Sequence, residues 1–531
     1  MTAMADRAPV SVAPRRVQPS DIALRPTAEL LTDGGDARIL LDRARGLNKY
    51  GCSPLPDPGL AAFGSSTAST ISATAFAAAE RLRDRLAEAA HRETDALTYA
   101  RELDRMRAEL ADLCGIADLP DLKIVFAASG TDLHLLAAQL AAGGAPAPLV
   151  ALMVEAPETG SGVPAALSGR HFSTHAALGD TVPDGGPVDG AAAVEIVAIS
   201  GRDAEGMPRP TQSVDAEVET RVVDAAEAGR RVLLTLVDVS KTGMIAPSPK
   251  LALAIRRRFP DAVNVLVDAC QFRQSRASLR AYLEHGFMVA LTGSKFLTGP
   301  TFSGALLVPR TLARRLKTQP LPAALGAYSA RADWPHDWAA ARVLPDVANH
   351  GLLLRWEAAL DELRAFRSIP DHEVSAFLSD FARAIETRLA TDPAFEPLPV
   401  PALDRRPLVD AGGWDEIPTI FPFLLRDASQ RLLRREETAR VYAALAQDQS
   451  EHGGSRATAA LRCQVGQPVP CGQRGGVPVS ALRLCASARL VVEAASGRSA
   501  GAAAVIARAM AVLDKAAWLA AAATSGSGVH P

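Results

Sequence analysis

Between residues 123 and 309 the chain alternates short apolar runs with longer stretches of mixed polarity. The runs are Lys123–Ser129, Leu149–Ala156, Val194–Ser200, Arg231–Val239, Asn264–Ala269, Phe287–Gly293 and Gly304–Pro309. They are continuous rather than alternating apolar with polar, the pattern of strands buried on both faces in a mostly parallel, helix-covered sheet. The ten residues Ser294 to Ser303 are too few for a helical crossover, so the last two strands are expected to pair antiparallel. The fold class is therefore α/β: a mostly parallel seven-stranded sheet sandwiched by helices.

Outside this region the period changes. Ser72 to about Leu113 has helix-like spacing of Ala, Leu and Phe among charged residues, as do Gly351–Phe366 and Val374–Leu389. Shorter strand candidates at Thr419–Leu425 and Ala481–Cys485 complete a smaller α+β C-terminal domain. The expected organisation is a loose Pro- and Ala-rich segment over 1–35, then arm, helices and large sheet domain over 36–344. The small domain spans 345–515 and a tail 516–531. Residues 201–213 read as a polar loop.

Composition narrows the classes. With 48% hydrophobic and 22% charged residues the chain is globular rather than disordered. A formal net charge of −2 gives no basic excess for nucleic acid or an anionic membrane. The N-terminal 26 residues lack the apolar core of a secretory signal. Residues 500–523 are alanine-rich but interrupted by Arg508, Asp514 and Lys515, which suits an amphipathic surface helix rather than a membrane span. Cys52, Cys114, Cys270, Cys463, Cys471 and Cys485 form no metal-binding spacing, so no metal site is expected, and they suit a reducing, cytoplasmic setting.

Three strand ends carry candidate chemistry. The first is Val267–Gly304, with VDACQ followed by TGSKFLTGPTFSG. Asp268 closes an apolar strand and Lys295 follows just beyond the next, where open α/β sheets place ligand-binding groups. A carboxylate and an amine at adjacent strand ends can face a flat ligand. The carboxylate keeps a pyridine nitrogen protonated, and the amine forms a Schiff base with an aldehyde, which together describe a pyridoxal phosphate site. Either residue alone reads as a helix-capping Asp or a solvated Lys. The second candidate is Ser129-Gly130-Thr131-Asp132 between a strand and a helix, an anion site suited to phosphate that is also an ordinary N-cap. The third is Ser240-Lys241-Thr242-Gly243, whose hydroxyls could touch cofactor or substrate; it reads equally as a turn with an exposed lysine.

Taken in order, strand-SGT-helix, strand-D-x-x-Q and strand-G-x-K-x-x-x-GP-T resemble the aminotransferase class V branch of the fold type I pyridoxal phosphate enzymes. The resemblance covers 123–310 and, loosely, the C-terminal region. It implies Lys295 as the Schiff-base lysine and proton shuttle, Asp268 on the pyridine nitrogen, and Gln271 on the phenolic oxygen. It implies Gly130, Thr131 and Ser294 on the phosphate, and Thr301 on the phosphate of a neighbouring subunit, hence a homodimer. Arg483, in Ala481-Leu482-Arg483-Leu484, matches the arginine that receives a substrate α-carboxylate; it is otherwise an edge-strand surface residue. The loop Glu155–Gly162 departs from the pattern by lacking an aromatic to stack on the ring; His171, Phe172 or an N-terminal segment are the alternatives, and no stacking residue is assigned. Residues 48–54 and 64–70 are small, hydroxyl-rich loops placed either to line a site mouth or to cap a helix.

The resulting expectation is an enzyme acting on an amino acid, with transamination ahead of cysteine desulfuration or β-elimination. Sulfur transfer would require a mobile thiol, and Cys463 or Cys471 are the candidates by position. The rival from another class is a non-catalytic binding protein that retains the pyridoxal phosphate fold.

Overall fold

The computed structural model describes residues 24–143, 147–318, 320–452 and 455–523; parts of the expected loose segment and tail lie outside them. The strands, in chain order, are β1 (Ala61–Phe63), β2 (Lys123–Ala127), β3 (Leu149–Val154), β4 (Glu195–Ile199) and β5 (Arg231–Asp238). They continue as β6 (Ile245–Ala246), β7 (Val263–Ala269), β8 (Met288–Thr292) and β9 (Gly304–Val308). The last are β10 (Phe395–Pro397), β11 (Ile420–Leu425), β12 (Cys463–Arg474) and β13 (Val477–Cys485).

The seven apolar runs become one sheet in the order β2-β9-β8-β7-β5-β3-β4, with the two-residue β6 paired to β5 at its end. The pairs β3·β4, β3·β5, β5·β7 and β7·β8 are parallel, and β9 is antiparallel to both β8 and β2. The carboxyl ends of β2, β3, β5, β7 and β8 therefore emerge along one edge.

Both faces of this sheet are covered. Leu152, Leu234, Val265, Val289 and Leu307 join one core with Val214, Val218 and Val222 of the helix Thr211–Glu227. Their chain neighbours Met153, Leu233, Leu266, Ala290 and Leu306 join a second core under the helix Gly130–Ala142. Successive strand residues point to opposite faces, so burial on both sides requires an unbroken apolar run. Each such Val or Leu side chain contributes about 1.5–3 kcal/mol by leaving water.

A second sheet, β1-β12-β13-β11-β10, lies C-terminal except for β1, which pairs in parallel with β12, Ala61 opposite Cys463. Two differences from the sequence reading have local causes. The long helical pattern over 72–113 is two helices, Ala73–Ala89 and Asp95–Leu113, because Thr94 accepts from Leu97 N and caps a new start. The strand β12 escaped notice because two prolines and three glutamines obscure its pattern. The helix Arg498–Ala522 is amphipathic as expected: Val505, Val512, Leu513 and Leu519 are buried on one side. Among the described residues no helix is long and apolar enough to cross a membrane.

Candidate active site

Segments following β2, β3, β5, β7 and β8 converge on a cavity of about 250 Å³. Ser129, Gly130 and Thr131 follow β2, and Asp268 lies in β7 with Cys270 just beyond it. Ser294 and Lys295 follow β8, with Thr301 further along the same loop. The small domain closes the cavity with Gln467–Pro470 and Arg483, and the N-terminal region with Arg38, Lys49, Tyr50, Ser66 and Thr67.

Asp268 is buried at the bottom. His134, one turn into the helix Gly130–Ala142, puts Nε2 3.3 Å from Asp268 Oδ2, an ion-pair contact without the alignment of a hydrogen bond. Its Nδ1 lies 2.7 Å from the Gly130 carbonyl, which can only accept, so Nδ1 carries a proton. Burial alone would raise the Asp268 pKa. The adjacent His134 and Lys295 cations more than reverse it and hold the carboxyl well below the usual range. His134 is opposed by its own burial, yet Asp268 wins and its pKa is raised. Sequence reasoning missed His134; its i+4 spacing from Gly130 was the available signal.

The SGT turn is a cap and more. Ser129 Oγ accepts from Asp132 N at 3.3 Å and donates to the Asp132 carboxylate. A Cβ at Gly130 would lie 2.8 Å from Cys270 Sγ, so the turn packs against β7 only as glycine. Burial and the nearby Asp36 push the Asp132 carboxyl up to about 7, so negative charge is suppressed at this helix N-terminus. Arg38, from the N-terminal region, reaches Thr131 Oγ1 at 3.2 Å and Ser129 Oγ at 3.3 Å while Asp36 grips its Nε. Nothing local in the sequence marks Arg38 for this position.

The loop carrying Lys295 is small-residue-rich for a reason other than ligand approach. A Cβ at Gly293 or Gly299 would strike Ala359 Cβ of the helix His350–Arg367 at 2.5 and 2.8 Å. Strain also gathers here. Val239, Phe272, Thr298 and Phe302 have φ of +64°, +53°, +63° and +74°, and all flank site segments. Left-handed backbone at bulky residues persists only where the surroundings impose it, typically at functional sites.

Two expected cofactor contacts lie outside the cavity lining. Gln271 donates from Nε2 to Ser66 O at 3.0 Å and accepts from Arg273 Nε at 3.3 Å, so it secures the Ser66 loop. Ser240 donates to Glu158 Oε2 at 2.6 Å. In both cases a buried partner claims the polar atoms, and Lys241 rather than Ser240 faces the cavity. Thr301 lines the cavity of its own chain and accepts from Asn48 Nδ2 at 3.1 Å.

Where an aromatic was missing from the β3 loop, Pro157, Thr159, Gly160 and Ser161 line the wall. His171 and Phe172 instead pack against Tyr328, at ring-centroid distances of 5.8 and 5.4 Å. Of the hydroxyl-rich loops, Lys49, Tyr50, Ser66 and Thr67 line the cavity.

Arg483 is 1% exposed and lies in β13. It donates to Thr67 Oγ1 at 2.9 Å, Gln467 O at 2.6 Å and Lys241 O at 3.3 Å; Nε has no partner among the described residues. A Cβ at Gly466 would sit 2.7 Å from that Nε, so glycine there admits the guanidinium. Cys463 and Cys471 are buried away from the cavity, their thiols facing Leu445 O and Val479 O. Burial pushes them up to about 12 and about 11. Among the described residues no cluster of acids, histidines and cysteines could hold a metal ion.

No family model matches the sequence, and no curated protein matches it. Solved structures do. A NifS-like protein aligns over 86% of this chain and 99% of its own, at 11% identity and a TM-score of 0.50. The cysteine desulfurase CsdA from Escherichia coli aligns over 86% and 95%, at 14% identity and TM-score 0.49. A serine palmitoyltransferase from S. paucimobilis with a bound PLP–myriocin aldimine aligns over 86% and 87%, at 16% identity and TM-score 0.45. The likeness shows a shared fold, that of the fold type I enzymes: a large, mostly parallel sheet flanked by helices.

Proposed function

We propose that the protein is a pyridoxal phosphate-dependent enzyme acting on an amino acid, with the cofactor joined to Lys295. The observation that carries this reading is convergence: strand ends from Ser129 to Lys295 bring a hydroxyl-bearing helix N-terminus, an ionised carboxylate and a lysine to one cavity. That cavity also holds the buried Arg483, with which no carboxylate pairs among the described residues. The donor set fits the group. Ser129, the Gly130 and Thr131 amides, Ser294 and Arg38 would hold the phosphate, and the Arg483 guanidinium, which lines the same cavity, would meet a substrate carboxylate.

Bound pyridoxal phosphate supplies an electron-withdrawing ring that acidifies the Cα–H bond of an amino acid attached to it. Asp268, kept ionised by His134, stabilises a proton on the pyridine nitrogen. The Lys295 amine takes the Cα proton and returns it. Arg483 binds the α-carboxylate and fixes which Cα bond faces Lys295. The Tyr50, Pro157 and Pro468 walls restrict water around these groups.

The reaction favoured is amino transfer rather than desulfuration. A desulfurase needs a thiolate at the substrate, and Cys463 and Cys471 are buried in a strand with raised pKa values. Cys270 does line the cavity, but its burial and the Asp268 charge push its thiol far up. A homodimer in a reducing, cytoplasmic setting belongs to the same proposal, supported by the class V resemblance and by cysteines that are all free.

The test is spectroscopic and kinetic. Purified protein should bind pyridoxal phosphate with a visible absorbance band that Lys295→Ala abolishes, and should transfer amino groups to a keto acid. Cys463→Ala and Cys471→Ala should keep that transfer. A protein that takes up no cofactor would refute the reading, and sulfide release from cysteine lost in either cysteine variant would replace transfer with desulfuration.

A further inference from the structure

The cavity lining is electrostatically one-sided. Its charged side chains include Arg38, Lys49, Lys241, Lys295 and Arg483, against a single carboxylate, Asp268. Asp268 is matched by His134, and Arg38 by Asp36. Lys49 is exposed at the rim, and Lys295 is committed to the cofactor under the reading above, on which this inference rests. Arg483 and Lys241 remain.

Lys241 follows β5 and donates from Nζ to one atom, the Ala156 carbonyl, at 3.2 Å. Among the described residues no carboxylate forms an ion pair with it. The nearby acid Glu158 is already saturated. Its oxygens accept from Arg202 Nε at 2.9 Å, Ser240 Oγ at 2.6 Å, and Thr242 Oγ1 at 2.8 and 2.7 Å. Arg483 is buried and Lys241 half-buried; cations so placed without counterions are costly, and the cost is recovered when a ligand brings the missing charge. One α-carboxylate matches Arg483 and leaves Lys241 unmatched.

We propose that the substrate is an acidic amino acid whose side-chain carboxylate pairs with Lys241 while Arg483 takes the α-carboxylate. The two cations hang from a shared strut, since Arg483 Nη1 donates to the Lys241 carbonyl at 3.3 Å, so the anion sites are fixed relative to each other. Burial, then the neighbouring Arg483 and Lys295 cations, push the Lys241 amine down to about 7, against the opposing pull of Glu158 and Asp268. A bound anion raises it again. Preference for a second carboxylate is therefore strongest below about pH 7 and fades as the amine deprotonates above it.

The test is calorimetric titration of the cofactor-loaded protein with succinate and with propionate at pH 6.5, cofactor uptake being recorded beforehand by absorbance. Succinate is expected to bind about tenfold or more tightly than propionate, a charge-assisted pair's worth of affinity. In Lys241→Gln that preference should shrink to about twofold, and Lys241→Arg should retain it. Equal affinities in the wild-type protein would overturn the inference, as would an undiminished preference in Lys241→Gln; both would show Lys241 sharing the α-carboxylate with Arg483 or idle. Absence of cofactor uptake would overturn the cofactor reading itself, and this inference with it.

Discussion

His134 illustrates how a single side chain sets the chemistry of another. Asp268 is buried, and a lone buried carboxylate protonates. The imidazole beside it, itself held by the Gly130 carbonyl, keeps it charged. In the cofactor-free protein the pair has a defined pH window. The depressed Asp268 contributes stability present above about pH 4, the unfolded value, and lost as pH falls through its folded pKa. The raised His134 contributes stability present below about pH 6.5 and lost as pH rises through its folded value. Their joint contribution is therefore greatest at mildly acidic pH. His134→Phe should cost about 3–5 kcal/mol there, the usual loss when one partner of a buried pair is removed, and less as pH rises beyond the His134 titration. Urea denaturation across pH 5 to 8 measures both. Asp268 was readable from sequence because a strand-end carboxylate stands out. His134 was not, because a histidine amid leucines on a helix reads as packing until the fold sets it against β7.

At the scale of elements, the proposed phosphate cradle joins a turn after β2 to a segment nearly a hundred residues upstream. The turn was legible: Ser-Gly-Thr between an apolar run and a helical run is a local signal. Arg38 was not, because its role arises from a chain crossing that no spacing encodes. The guanidinium already contacts both hydroxyls of the cradle, so phosphate would meet a preformed donor set. Arg38→Ala should weaken pyridoxal phosphate binding about 10–100-fold, since hydrogen bonds to charged groups are worth about 1.5–3 kcal/mol. Affinity for pyridoxal, which lacks the phosphate, should stay within about twofold. Equilibrium titration of both ligands followed by absorbance separates a phosphate contact from a general loss of structure.

At the scale of the whole molecule, the second sheet is tied to the first by buried charge. Arg405 donates to both Asp238 oxygens at the end of β5, at 2.8 and 2.7 Å, and to Asp415 O at 2.7 Å. Tyr282 adds a bond to Asp238 at 2.8 Å. Both ions are at most 1% exposed. Arg405→Leu strands Asp238 in the interior and should cost about 3–5 kcal/mol by denaturant titration, while adding Asp238→Leu should recover part of it, since an apolar pair needs no counterion.

The sequence by itself determined the large sheet: seven unbroken apolar runs can be satisfied only by strands covered on both faces, and their short final connection imposes the antiparallel β9. It also determined the order of Ser129–Thr131, Asp268 and Lys295, because residues at the ends of parallel strands share an edge. Tertiary structure alone decided which polar atoms remain available there. Gln271 and Ser240 are consumed by Ser66 and Glu158, whereas Arg38, from the N-terminal region, and His134, one turn into a helix, reach the site with no local mark to predict it. Hydrogen-bonding capacity is shared out among neighbours in space, and that allocation has no local signature along the chain.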